Sequence, residues 1–366
     1  HSLIVIYGQE QAGTVPRSVS IDEPWAVRIH NRYLPIGQAA LVWQPCLKHI
    51  RGADLVIVEQ ANRLLVNYPL LVGRKAGLLV LAYWGHGRNF QALRTSGLRE
   101  MWKRMLLCAA DWWFSYTEIS KCVMVDAGVP SDRITVVNNT VDADELTEAL
   151  SRLTPDEVDA ARATLGIHSH NVGLYCGGMY PDKRLSFLLR ACKEVRVRVP
   201  DFELVAIGDG PDQRLIEEAA HEHTWVHYLG GVYGAERAPY FAMARAFLMP
   251  GLVGLAIVDS FAAAVPMFTT NVPIHSPEIA YLDDGRNGVI VRYDIMAYAD
   301  AVAGYLQSPD MQQRLIDGCK DSARDFGVGC MVERFAAGVQ RCLEVCDRGG
   351  RFTCEPQRSE EKRDES

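Results

Sequence analysis

Nothing in the 366 residues is both long and apolar enough to span a bilayer. The best stretch, residues 64–84, is interrupted by Pro69 and by the adjacent Arg74 and Lys75. An excess of positive charge is missing too: the net charge is −7, which argues against nucleic acid as the main partner. Ten cysteines are present, but their spacing forms neither a disulfide framework nor a metal-ligand set. Cys46, Cys108, Cys122, Cys176 and Cys192 are scattered through predicted elements. Cys342 and Cys346 stand at helical spacing without a companion pair. They read as reduced core thiols of a cytoplasmic protein. The expectation is of no signal peptide, and no short-period repeat stands out. An initiator Met is lacking: residues 1–8 read as a strand in progress, so the expectation is that an upstream segment with the first strand is missing.

What is there is an ordinary globular balance, 48% hydrophobic and 23% charged, over a length that suits two domains. In the second half, apolar strand-like runs recur at 172–176, 203–207, 226–229, 246–249, 266–269 and 289–291. Helical patterns separate them at 183–198, 212–221, 236–245, 255–264 and 277–281. That alternation predicts a parallel sheet with helices on both faces. Gly or Pro follows most strand ends, at Gly177 and Gly178, Gly208 to Pro211, Gly230 and Gly231, and Pro250 and Gly251. In doubly wound sheets such turns line the ligand edge.

The first half reads similarly, with strands expected at 3–7, 26–29, 55–59, 77–84, 113–116 and 134–137. Helices are expected at 38–51, 60–71, 96–110 and 118–127. The organisation expected is an N-terminal domain over 1–150, a second domain over 151–310, C-terminal helices over 311–348 and a disordered tail over 349–366.

The stretch from Met249 to Thr270 is the most informative. It reads as strand, turn, helix and strand, with the helix opening near Leu255. Free backbone N–H groups at such a helix start favour an anion, and Asp259 lies about one turn in, within reach of a ligand hydroxyl. The arrangement suits a sugar diphosphate.

The series Gly177-Gly-Met-Tyr-Pro-Asp-Lys-Arg-Leu185, Ile207-Gly-Asp-Gly-Pro211, His227-Tyr-Leu-Gly230, Pro250 to Pro266, and Pro277-Glu-Ile with Asp284-Gly-Arg-Asn-Gly288 falls in order. It resembles the C-terminal domain of group 1 (family 4) glycosyltransferases of the GT-B fold. Upstream, Tyr116-Thr-Glu, Gly128-Val-Pro and Ile134 to Asp142 resemble the interdomain approach of the same family. The resemblance covers residues 113 to 291 and weakens before Tyr83. It implies an α/β protein with two Rossmann-like, doubly wound parallel-sheet domains facing across a cleft. It implies a retaining transfer of sugar from a nucleotide-diphosphate sugar to a glycan or lipid-linked acceptor, with no bound metal or other cofactor.

By the same resemblance, Lys183 with Arg184 meets the donor diphosphate, and Asp259 holds the ribose hydroxyls. Gly177 and Gly178, Gly208, Asp209 and Gly210, Leu229, and Gly251 to Leu255 line the donor site. The backbone of residues 226–231 reads the base. The sequence also departs from the family: Gly251 stands for the first motif acid, Gly178 for the loop arginine, and Asp259 for a longer Glu. The amides of Val253, Gly254 and Leu255 need no side chain and could still serve. Gly208 and Gly210 fit a plain strand-ending turn equally well.

On the acceptor side, His86 sits in a Gly-flanked turn at a strand end, free to point into a cleft and bond a sugar hydroxyl. Asp142 and Asp144 mimic a metal-binding acidic pair, yet either can cap the helix that follows. Asn138-Asn-Thr140 matches a glycosylation acceptor that a cytoplasmic chain would not expose to that machinery. Arg88, Arg94, Arg99, Lys103 and Arg104 interleave with Phe90, Leu98, Trp102 and Leu106. That pattern suits a helix docked on its own domain or, with a lipid-linked acceptor, a peripheral contact with an anionic membrane on its cytoplasmic face. Two other readings stay open: a nucleotide-sugar epimerase of the same fold, and an inactive nucleotide-sugar-binding relative.

Overall fold

The computed structural model describes residues 2–9, 21–37, 39–87 and 105–347. The chain divides into two compact units. Among the described residues, one gathers those up to Val137 and those from Arg334 onward, the other Asn138–Glu333.

In the first unit, β1 (Val5–Gly8) pairs in parallel with β2 (Ala26–Ile29). β3 (Arg32–Ile36) and β4 (Ala39–Trp43) form an antiparallel hairpin. This corrects the helix expected over 38–51. Pro45 forces the preceding residue toward extended backbone, so the apolar run before it pairs as a strand instead. β5 (Val56–Glu59), β6 (Leu81–Gly85), β7 (Trp112–Ser115) and β8 (Ile134–Val136) form a parallel sheet in chain order. α1 (Asn67–Lys75) starts later than expected because Pro69 is tolerated only in a helix's first turn. α2 (Glu118–Asp126) follows Thr117, whose Oγ1 accepts from the Ser120 N–H at 3.2 Å. Leu81, Ala82, Trp112, Trp113 and Phe114 are fully buried in this sheet. Buried Asp111 ties it to α1, accepting from Arg74 at 2.9 Å and from the Leu81 N–H at 3.1 Å. The expected helix over 96–110 lies largely outside the described residues, as does the expected tail over 349–366.

The second unit opens with two helices: α3 (Asp144–Arg152), the helix expected after Asp142 and Asp144, and α4 (Pro155–Leu165), which the sequence pattern does not mark. Asp142 accepts from the Asp144 N–H at 2.9 Å, so that acidic pair shapes the start of α3. Six parallel strands follow: β9 (Val172–Cys176), β10 (Glu203–Ile207), β11 (Val226–Tyr228), β12 (Ala246–Leu248), β13 (Met267–Thr270) and β14 (Gly288–Val291). Their spatial order is β11-β10-β9-β12-β13-β14. The order reverses between β9 and β12, and right-handed crossovers therefore place the helices of the two halves on opposite faces.

α5 (Leu185–Arg198), α6 (Gln213–Glu222), the short α7 (Ala238–Met243) and α8 (Ala256–Ala262) connect the strands. α9 (Ile295–Leu306), also unplaced by sequence, packs on α5, and α10 (Pro309–Phe326) packs on α8. Gly327 caps α10 and separates it from the last helix, within the C-terminal helices expected there. α11 (Val328–Asp347) follows, and from Arg334 onward it belongs to the first unit, where Phe335 stacks on Phe114 at 4.2 Å. Cys122 is exposed and Cys46, Cys330 and Cys346 are half-buried, so only Cys108, Cys176, Cys192, Cys319 and Cys342 are core thiols among those described.

Candidate functional site

The loops that leave β9 and β12 meet at the strand-order reversal of the second unit, the position where doubly wound sheets bind ligands. Beyond β9 the chain turns at Gly177 (φ 152°) and runs against the loop after β10. The Gly177 N–H donates to the Ile207 carbonyl at 3.0 Å, and the Met179 N–H donates to the Asp209 carbonyl at 2.7 Å. A Cβ on Gly208 would collide with the Gly177 carbonyl, and one on Gly210 would sit 2.5 Å from the Met179 carbonyl. These two glycines are therefore required by the contact between two loops, whatever binds there.

Lys183 ends a short 3-10 turn, Pro181–Lys183, and Arg184 follows in left-handed backbone (φ 59°) as the exposed residue before α5. The Lys183 side chain is folded inward, 9% exposed, and its Nζ donates to the Leu252 carbonyl at 2.7 Å. Among the described residues no carboxylate lies within ion-pair distance of it. Burial pushes its pKa down to about 8, against a smaller opposing pull from Asp182. Burying an amine without an ionic partner is costly, and an anion at this loop junction would offset that cost.

The loop at 250–254 is laced on both sides. The Leu252 N–H donates to the Asp182 carbonyl at 2.8 Å. Thr270 Oγ1 donates to the Pro250 carbonyl and Ser276 Oγ to the Val253 carbonyl, each at 2.6 Å. The Val253 N–H donates to His275 Nδ1 at 3.1 Å. The expectation that the Val253 amide serves the ligand is therefore corrected, because an imidazole already takes it. Among the described residues nothing accepts from the amides of Gly254 and Leu255, which open α8. Gly251 has a steric reason: its Cβ would collide with the Asp182 carbonyl and lie 2.5 Å from the Lys183 carbonyl carbon. The turn that carries Lys183 occupies the space an acid at 251 would need. At Gly178, the ring of Tyr180 covers the glycine where a side chain would emerge.

Asp259 sits in α8 beside the buried Ile257, Val258 and Phe261. Its carboxylate is held by Arg237, Oδ2 to Nη1 at 2.6 Å and Oδ1 to Nη2 at 3.5 Å, with both side chains less than a fifth exposed. Cys176 lies in the same cluster. Burial raises its thiol to about 11 and Arg237 opposes that rise. A carboxylate already bound to a guanidinium has fewer free lone pairs for a hydroxyl than the sequence suggested. Neither Arg237 nor His275 was legible as a site residue. Each meets its partner 22 residues away in sequence, a separation that no periodicity signals.

Asp209 is exposed and accepts from Tyr233 Oη at 2.6 Å, while Tyr228 Oη donates to the Gly208 carbonyl at 3.0 Å. Leu229 continues the β11 edge, its N–H donating to the Ala206 carbonyl at 3.1 Å. Tyrosines thus rim the β10 and β11 end of the site.

His86 belongs to the first unit. It follows β6 between Gly85 (φ 152°) and Gly87 (φ 69°), with its ring edge-on to Tyr116 at 4.2 Å. The basic residues Arg88, Arg94, Arg99, Lys103 and Arg104 lie outside the described residues. No described helix is long and apolar enough to cross a membrane.

Residues 170–308, the β9 to α9 body of the second unit, match the family model of Glycosyl transferases group 1. That segment is a group 1 glycosyltransferase domain. The alpha-monoglucosyldiacylglycerol synthase of Acholeplasma laidlawii is 27% identical over 146 residues, 38% of this chain and 36% of the relative. The GDP-mannose-dependent alpha-(1-6)-phosphatidylinositol monomannoside mannosyltransferase of Mycolicibacterium smegmatis is 29% identical over 171 residues, 42% of this chain and 44% of the relative. The chain thus spans less than half the length of these curated relatives. Solved structures extend the likeness beyond the domain. A Rickettsia africae glycosyltransferase matches with a TM-score of 0.66 at 13% identity, over 87% of this chain and 86% of its own. HepE of Anabaena, solved with UDP, matches with a TM-score of 0.61 at 16% identity, over 86% of each chain. At these identities the likeness is one of fold, and the fold is GT-B.

Proposed function

We propose that this protein is a retaining glycosyltransferase that moves a sugar from a nucleotide-diphosphate sugar to a hydroxyl of a glycan or lipid-linked acceptor. The observation that carries the reading is Lys183: a buried ammonium without an ion-pair partner among the described residues, at the sheet's strand-order reversal, inside a group 1 glycosyltransferase domain. In the reaction the bond from the anomeric carbon to the diphosphate oxygen breaks. The acceptor oxygen joins the same face of that carbon, and the acceptor proton passes to the leaving phosphate. Lys183 takes up the charge that grows on the diphosphate, aided by the amides of Gly254 and Leu255, and no bound metal is assigned a part. Arg184, Asp209 and Leu229 border the nucleotide in this reading, and His86 orients the sugar or acceptor. Relatives whose names carry diacylglycerol and phosphatidylinositol lipids support a lipid-linked acceptor, which would bring the protein to a cytoplasmic membrane face.

Gly251 and Gly178 favour a second reading, a nucleotide-sugar-binding relative without turnover, since backbone and a tyrosine ring fill the places where acid and arginine would reach the donor. One assay separates the two: incubate the protein with radiolabelled UDP-glucose or GDP-mannose and mixed glycerolipid acceptors. Transfer of label into lipid, lost in Lys183→Ala, supports the transferase. Tight donor binding with no transfer and no hydrolysis selects the binding relative.

A further inference from the structure

We propose that His275 is a positioning residue of this site: its neutral imidazole, protonated on Nε2, holds the 252–254 loop, and with it Lys183, in the arrangement that receives a diphosphate. The inference rests on the transferase reading for its ligand, but the lock itself is a property of the free protein. His275 lies in the segment after β13. Its Nε2 is 2.6 Å from the Thr270 carbonyl, which can only accept, and its Nδ1 is 3.1 Å from the Val253 N–H, which can only donate. Only the neutral Nε2–H tautomer satisfies both bonds. The anchor continues from there. Val253 is also held through its carbonyl by Ser276, and the neighbouring Leu252 carbonyl receives Lys183 Nζ.

Protonation turns Nδ1 into a donor facing another donor, so the Val253 bond breaks and the loop loses one of its ties. The groups around the ring make that proton hard to add. His275 is half-buried, and burial lowers its pKa, as the Thr270 carbonyl opposes and the Lys183 charge assists. Thr270 and Ser276 are uncharged. The Asp182 carboxylate acts on Lys183. The expected result is a site closed to diphosphates at acid pH for a reason unrelated to the ligand's own protonation.

The variant that isolates this is His275→Gln, whose amide oxygen and nitrogen can keep the acceptor and the donor without titrating. Two measurements are made on the whole protein. In the ligand-free state, long-range proton–nitrogen NMR reads the His275 tautomer while hydrogen exchange reads the Val253 amide through the titration. Calorimetry then gives UDP and GDP affinity from about pH 5 to 8 in wild type and in His275→Gln; phosphate protonation affects both equally. The expected results are an Nε2–H tautomer, Val253 protection lost as His275 protonates, and an extra acid-side fall of about tenfold per pH unit in wild type only. An Nδ1–H tautomer, Val253 protection indifferent to the titration, or the same acid limb in both proteins overturns the inference. If neither nucleotide binds at any pH while Val253 protection still follows His275, the lock stands and the transferase reading falls. If His275→Gln fails to fold, the wild-type NMR and exchange data decide alone.

Discussion

Lys183 gives the pH behaviour of the site its sign. Its pKa in the folded protein, about 8, lies below the ordinary 10.5. Between those values the unfolded chain binds more protons than the folded one, so this group's contribution makes stability rise with pH there; below pH 8 the full cost of its buried charge is present. Diphosphate binding has the opposite dependence, because it needs the charged amine: UDP or GDP affinity should fall as pH passes about 8. Comparing wild type with Lys183→Met by thermal melting and calorimetry checks both signs, since the variant should show neither trend. The Arg237–Asp259 pair makes a second prediction at this scale. Removing one partner strands a nearly buried charge, so Arg237→Leu should cost about 3 kcal/mol by denaturant unfolding. The double replacement Arg237→Leu with Asp259→Leu should recover most of it, and additive losses would show that the pair is not coupled.

Among the elements, the loop after β12 and the turn before α5 behave as one piece, joined by the Leu252 N–H to Asp182 and Lys183 Nζ to Leu252 bonds. Restoring an acid by Gly251→Glu should therefore weaken nucleotide binding, because the new Cβ displaces the turn that carries Lys183. A gain in affinity or transfer would show that the turn yields easily. The strands from β9 to β13 were legible in the sequence to within about a residue, because parallel strands buried on both faces read as apolar runs closed by Gly or Pro. The β3–β4 hairpin was not, since its short apolar run suits either element until Pro45 is weighed. In the site, the glycine turns were legible as strand-end punctuation, and Lys183 entered only through the family resemblance. The fates of Val253 and Asp259 were not, because each depends on a side chain brought in by tertiary folding, His275 or Arg237.

For the whole molecule, the final helix matters because α11 begins in one unit and ends in the other. Its seat in the first unit is Gly338, where a Cβ would lie 2.7 Å from both the Phe114 ring and Thr135 Oγ1. Gly338→Leu should unseat that half of the helix, lowering the melting temperature and exposing 334–347 to proteolysis while nucleotide binding in the second unit survives. Nucleotide binding lost in step would mean that the units do not hold their structure separately. Whether the second unit binds a nucleoside diphosphate through Lys183 is read by calorimetric titration of UDP and GDP into wild type and Lys183→Ala at pH 7. One nucleotide should bind wild type, with a loss of roughly a hundredfold, about 2.7 kcal/mol, in the variant. No binding of either nucleotide to a folded wild type, or equal affinity in the variant, would contradict that reading.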